Sequence, residues 1–435
     1  MIFVTKKLPY TREVLGNGLT ALLYPMKESQ AAGLSLKFHA GTYFESESGL
    51  AHAVEHFLYL ATEKFPSERV VREKLEELGA RWNGRTAGRY IELWLQIPAK
   101  NLEAGLELLS EIAFSPVFLP ETLEKERSVV IQEWKKRHDQ PHFRFFQKLR
   151  ETRLTTSHHP YIRDESLALL EGFSLDDISS FYGRYFQPQQ AVLGVGGGIE
   201  SGKTLKLIKR YFGEQKKGKV IPEPVFETDS YASRTVVCHQ EKSSQAEIEI
   251  NFPAFGWREY PYPVREAAQM ANRIIGGSVV SRLWRSLRED RGWVYHVESN
   301  LTSWPYLGIF SVNLSCDVAR LAEVMEVVRD DINGFLSDGP KEREVELARE
   351  FLLGRLATGF ETSLGVAEYL VDEEFDQEGI WLPKDRMEVV SSISKKEIWD
   401  MSQKVVDWGR VQVGLMNDFQ NTSKTEFESM VERTF

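Results

Sequence analysis

Cysteine is almost absent: Cys238 and Cys316 are the only two in 435 residues. They are too few and too far apart for a disulfide framework or a C-x-x-C zinc site, so two packed thiols in a reducing compartment are expected. Long apolar runs are missing too. The uncharged stretch from Phe186 to Ile199 is shorter than the roughly 18 apolar residues of a membrane span, and no transmembrane helix is expected. The N-terminus, Met1-Ile-Phe-Val-Thr-Lys6-Lys7, lacks the order of a secretory or transit segment, which reads as a cytoplasmic protein. Positive charge is in deficit as well. Lys+Arg 54 against Asp+Glu 64 leaves a net charge of −10, without the basic stripe of a nucleic-acid binder.

What remains is ordinary globular material, 42% hydrophobic and 27% charged, long enough for two to four packed units. Apolar runs flank Asn17-Gly18, a strong hairpin signal. Gly33 to Phe38 alternates as a third strand, and Gly49 to Ala61 and Ser67 to Leu78 take helical spacing, with Ser67 as an N-cap. Arg89 to Ile97 reads as strand, Asn101 to Ile112 and Pro120 to Arg137 as helices, and Ser174 opens a helix before the strand Gln190 to Val195. The expected class is α+β with largely antiparallel sheets. Periodicity lapses near Gly213 to Pro224, which suits a linker. The expected division is a domain over 1–212, a linker over 213–230 and a second domain over 231–435. Lys27-Glu-Ser-Gln-Ala31 returns as Lys242-Ser-Ser-Gln-Ala246, 215 residues later, so the second half reads as a duplicate of the first.

The most informative segment is His52-Ala-Val-Glu55-His56, an H-x-x-E-H pattern on helical spacing. Positions i and i+4 share a face, so His52 and His56 can offer two imidazole nitrogens to one Zn²⁺, with Glu55 beside the open position. Such a match arises by chance in roughly one or two chains per hundred, so a third ligand is needed. Glu126 and Glu133 lie on one face of the helix expected over Pro120 to Arg137 and are candidates.

These residues resemble the zinc motif of the pitrilysin/insulinase metallopeptidases, a family that includes the mitochondrial processing peptidases. The resemblance makes Glu133, 77 residues after His56, the third ligand, and gives Glu126 a place behind the ligands, orienting one of them or the water. Ala40-Gly41, Asn83-Gly84-Arg85-Thr86 and Pro188 fit the same pattern, although the family usually has Ala where Gly84 stands. It implies one zinc per chain, since Ala267, Met270 and Ala271 stand at the offset positions of the motif. Arg288 and Tyr295, within Leu287-Arg-Glu289 to Gly292-Trp-Val-Tyr295, resemble the Arg/Tyr pair that completes the family's active site from the opposing half of a clamshell. The resemblance therefore implies a zinc endopeptidase that hydrolyses unfolded peptides in a chamber. Glu55 would be the general base, and Asn83, Gly84, Arg85 and Thr86 an edge for an extended substrate. A homodimer, or a heterodimer with a related chain, would bring Arg288 and Tyr295 to the zinc of the other subunit.

Two other readings compete. Some members of the family serve as non-catalytic or partner-dependent processing-peptidase subunits. Independently, Gly197-Gly-Ile-Glu-Ser-Gly-Lys203-Thr204 fits the phosphate-loop pattern, between an expected strand and helix. That reading lacks a strand ending in a metal-binding Asp, because Tyr369-Leu-Val-Asp372 continues a helical pattern.

Overall fold

A computed structural model describes residues 9–45, 47–153, 164–225, 234–376, 379–420 and 422–435. The chain begins with β1 (Thr11–Val14), β2 (Thr20–Pro25), β3 (Ala31–Phe38), α1 (Leu50–Leu58), α2 (Glu68–Glu77), β4 (Arg81–Thr86) and β5 (Ile91–Pro98). It continues through α3 (Leu102–Phe114), α4 (Leu123–His138), α5 (Pro141–Arg153), α6 (Leu167–Gly172), α7 (Leu175–Tyr185), β6 (Ala191–Gly197) and α8 (Ser201–Phe212). The rest is β7 (Thr235–Gln240), β8 (Ala246–Ala254), α9 (Tyr262–Ile275), β9 (Val294–Ser303), β10 (Gly308–Cys316), α10 (Leu321–Asp338) and α11 (Glu342–Gly359), then α12 (Ser363–Asp376), α13 (Pro383–Ser392), α14 (Lys395–Val405), β11 (Gln412–Asn417) and α15 (Lys424–Thr434).

The strands form two sheets, β1-β2-β6-β3-β5-β4 and β7-β11-β8-β10-β9. Each is antiparallel except for one parallel pair, β2 with β6 and β7 with β11. Past β1, the two orders correspond strand for strand, as expected of an α+β duplication. The hairpin turns where Gly18 takes φ +94°, and Asn17 ties it to the end of α8 by donating to the Phe212 carbonyl at 2.7 Å.

The division into compact units does not follow one cut in the chain. One unit holds Met1–Arg137, Asp164–Val225 and Ala357–Leu382; the other holds His138–Arg163, Phe226–Leu356 and Pro383–Phe435. The stretch expected as a linker starts within the first unit. There, Glu223 receives two bonds from Arg89, at 2.7 and 2.9 Å.

The exchanged segments are helices that cover sheet faces. In the first unit α12 buries Val366, Leu370, Val371 and Phe375 with Leu22 and Val192. This cover explains why β3, which alternates in sequence, is buried on both faces. Glycines make the approach possible: a Cβ on Gly33 would come within 2.3 Å of the Leu364 backbone, and one on Gly194 within 2.4 Å of the Ala367 carbonyl. In the second unit α5 sets Phe145 and Leu149 against Val237 and Met416.

Each exchanged helix also meets buried charge. Lys37 and Glu92 are fully buried beneath α12, with their charged groups 3.7 Å apart. Lys37 also pairs with Asp372 of α12, and Glu92 accepts from Ser35 at 2.7 Å and Arg85 at 2.6 Å. In the second unit Arg153 of α5 lies 3.8 Å from buried Glu249. Burial raises the Glu249 carboxyl to about 7, against the pull of Arg153.

Candidate metal centre

Helix α1 turns Ala51, Ala53, Val54, Phe57 and Leu58 into the core and leaves His52, Glu55 and His56 on its half-open face. Its start is set by Gly49 at φ +133° and by Glu45, whose carboxylate accepts from the backbone N–H of Ala51 at 2.6 Å. That capping carboxyl was not legible in the sequence. Burial lifts it to about 7, opposed by the backbone bonds it accepts.

On α4, Val130 packs inward and Glu126 is buried, while Glu133 keeps half its side chain exposed. Nε2 of His52 and Nε2 of His56 lie 3.3 Å apart. Oε2 of Glu133 is 3.5 Å from the first and 3.6 Å from the second. Among the described residues these three form one group able to hold a metal ion. A tetrahedral zinc with bonds of about 2.0–2.1 Å needs donors about 3.3–3.4 Å apart. The triangle matches that to within a few tenths of an ångström, and two imidazoles with one carboxylate is a donor set suited to an open zinc site. The residues fit the ion.

Behind the triangle each histidine faces a carboxylate. Nδ1 of His56 is 3.6 Å from Glu126. Nδ1 of His52 is 2.9 Å from Glu165, an ion-pair contact not aligned as a hydrogen bond. Glu165 escaped the sequence reading because it lies on neither α1 nor α4 and belongs to no spaced motif. Burial would raise its carboxyl, but His52 and Arg137 hold it down at about 2. Burial likewise opposes the charge on His52, and Glu133 and Glu165 overcome this, pushing the metal-free imidazole up to about 10. Glu133 is held below the usual range, chiefly by His52.

Glu55 points to the strand expected to bind substrate. Its Oε2 accepts from the Thr86 hydroxyl at 2.6 Å. A Cβ on Gly84 would lie 2.4 Å from its Oε1. Gly84 thus makes room for the carboxylate in this placement. Its strand, β4, is an edge of the first sheet, tied to the end of α1 by the Tyr59 hydroxyl, which donates to the Asn83 carbonyl at 2.8 Å. Arg85 pairs across the sheet with buried Glu92, so its charge already has a partner. Gly84→Ala is expected to leave the melting temperature and zinc content unchanged, because the Glu55 side chain can yield at little cost. The peptidase activity expected from the sequence should slow about 10- to 100-fold as the carboxylate is displaced, measured as initial rates on a quenched peptide.

Arg288 and Tyr295 come together in the second unit. Arg288 lies in a π-helical turn, Trp284–Glu289, and donates to the Val294 carbonyl at 3.2 Å. Its guanidinium is 5.2 Å from the Tyr295 ring centre. Tyr295 is 75% exposed on β9, an edge strand. Ala267, Met270 and Ala271, at the offset positions of the zinc motif, are buried apolar residues of α9.

The phosphate-loop reading is overturned at the start of α8. There the Glu200 carboxylate accepts from the N–H groups of Gly202 at 2.8 Å and Lys203 at 3.0 Å, the donors a phosphate would need. Thr204 is buried, and Asp372 sits in helix α12. His158 and His159, which the sequence marks as loop histidines without a metal role, lie outside the described residues.

Residues 22–161 match the family model described as Insulinase (Peptidase family M16), and residues 172–352 match the one described as Peptidase M16 inactive domain. The chain belongs to the insulinase family of peptidases. The inactive-domain match begins within the first unit but contains none of the metal-binding triad. Among the relatives of this insulinase-family chain, a protein of Bacillus subtilis named as an uncharacterized zinc protease is 24% identical over 80% of this chain and 83% of its own length. A Mycobacterium leprae protein of like name is 24% identical over 81% and 79%. The fold is shared with a protease from Helicobacter pylori, at 17% identity and a TM-score of 0.82 over 94% of this chain and 99% of that one. It is also shared with the first half of a periplasmic protease from Escherichia coli, at 17% identity and a TM-score of 0.81 over 98% and 96%. Among the described residues no helix is long and apolar enough to cross a membrane.

Proposed function

We propose that this insulinase-family chain is a zinc-dependent endopeptidase that cleaves unfolded peptides, with one metal per chain held by His52, His56 and Glu133. The observation that carries the proposal is the donor triangle of 3.3, 3.5 and 3.6 Å. A zinc ion held there would supply Lewis acidity, bringing the pKa of a bound water down to about 7. Glu55 stands one residue from His56, outside the ligand set, and its free role is to take the proton of the attacking water and return it to the leaving amine. Glu126 supports His56 from the side away from the metal.

An extended peptide adds to the open edge of β4 along Asn83, Gly84, Arg85 and Thr86, where main-chain pairing asks little of its sequence. Folded proteins, whose backbone is already paired, are poor substrates. Tyr295, exposed and stacked beside Arg288, donates to the oxyanion of the transition state, and Arg288 holds it there. In this reading the pair acts from a second copy of the chain, or from a related chain, across an enclosing chamber. Two unbridged thiols, Cys238 and Cys316, support a reducing, cytoplasmic setting.

Hydrolysis of an internally quenched peptide by the purified chain tests this. Chelation is expected to abolish the activity and stoichiometric zinc to restore it, with sedimentation reporting a dimer. A chain that binds one zinc yet is inert points to a missing related subunit. A chain that neither binds zinc nor cleaves ends the peptidase reading.

A further inference from the structure

The two imidazoles are held unequally. His56 has Glu126 behind it at 3.6 Å, on the same helix as Glu133. His52 has Glu165, at 2.9 Å and from another segment. Glu165 is 11% exposed and its two oxygens are divided, Oε1 toward His52 Nδ1 and Oε2 accepting from Arg137 at 2.5 Å. Arg137 is one helical turn after Glu133 on α4. Trp134 of the same helix donates its indole N–H to the Glu165 carbonyl at 3.0 Å. On the other side the backbone N–H of Ser166 donates to the Ser48 carbonyl at 2.9 Å, just before α1. The segment is therefore stapled both to the helix that bears Glu133 and to the approach of the helix that bears His52.

We propose that Glu165, anchored by Arg137, is a positioning residue for His52. Its carboxylate lies 2.9 Å from Nδ1, on the side of the ring away from Nε2, which faces His56 and Glu133. Because Arg137 and Glu133 share α4, the same carboxylate also ties the placement of the third ligand to that of the first. A carboxylate behind a ligating imidazole fixes the ring's tautomer and direction, and removing one typically costs 10- to 100-fold in metal affinity. A purely structural role would need only the Arg137 and Trp134 contacts, which leave Oε1 without purpose. The proposal rests on the metal-centre reading of the preceding subsections.

The test is zinc affinity of the full chain by competition with a chromophoric chelator, together with the visible spectrum of the cobalt-substituted protein. Glu165→Gln is expected to weaken zinc binding about 10- to 100-fold and to change the cobalt bands. The metal-free melting temperature reports whether the fold is intact. Arg137→Gln, at a position 36% exposed, should weaken binding less. The double variant should match Glu165→Gln alone, because Arg137 acts through Glu165. Should Glu165→Gln fail to fold, Arg137→Gln decides: unchanged affinity and spectrum overturn the proposal. Wild-type affinity and bands in a folded Glu165→Gln overturn it too, while leaving the metal centre intact. A wild type that takes up no zinc overturns both readings together.

Discussion

Glu55→Gln is expected to abolish measurable peptide hydrolysis while leaving zinc content and melting temperature as in the wild type. The side chain is not part of the donor triangle, so its loss removes no ligand. The amide is nearly isosteric and can keep the contact with the Thr86 hydroxyl that the carboxylate makes at 2.6 Å. What it cannot do is accept a proton. Loss of a positioned general base costs about 10²- to 10⁴-fold in rate, equivalent to roughly 3–6 kcal/mol of barrier. Zinc analysis and single-turnover cleavage of the same sample check both halves of the expectation. A variant that retains more than about a tenth of the activity would assign the proton transfer to another group. One that loses its zinc would make Glu55 a structural member of the site.

The second large effect concerns the first unit's fold. Glu92→Leu should destabilise the chain by about 3–5 kcal/mol, seen as a lower urea midpoint at unchanged slope. Lys37, fully buried, would be left with Asp372 of α12 and the face of the Tyr90 ring, and Arg85 on the edge strand would lose its carboxylate partner. Lys37→Met should cost less. It leaves Glu92 with Arg85 and Ser35, and Asp372, half exposed, with water. The double replacement should recover much of the loss, because the cost comes from an unpaired buried charge and not from the absence of the pair. Equal losses from the two single replacements would show that packing, not charge, sets the stability there.

The parts of the site legible in the sequence are those with short-range periodicity. His52, Glu55 and His56 fall on one helical face by spacing alone, and Glu126 and Glu133 share a face for the same reason. That Glu133 faces the histidines came from a family resemblance, since nothing local ties two helices together. Glu45 and Glu165 were illegible. Each lies outside the helices it serves, and no spacing in the sequence ties it to α1. Gly84 read as a departure from the family pattern, and its meaning appeared only when Glu55 was found beside it. The phosphate-loop match failed for the opposite reason: a local pattern was present, and one internal carboxylate, Glu200, took its donors.

The exchanged helices show the same boundary. The sequence by itself determined the duplicated α+β class, the helix and strand blocks, and a helix carrying two imidazoles and a carboxylate, because hydrophobic period and repeat offsets are local and survive in one dimension. Only the tertiary structure decided which sheet each helix covers. Helix α12 and helix α5 are amphipathic against any apolar face, and the choice between sheets rests on complementary detail. Gly33 and Gly194 admit α12, Lys37 meets Asp372, and Arg153 meets Glu249. The close of the donor triangle depends in the same way on α1 and α4 meeting at one distance. Contacts between residues far apart in the chain set that distance, and hydrophobic periodicity carries no record of them.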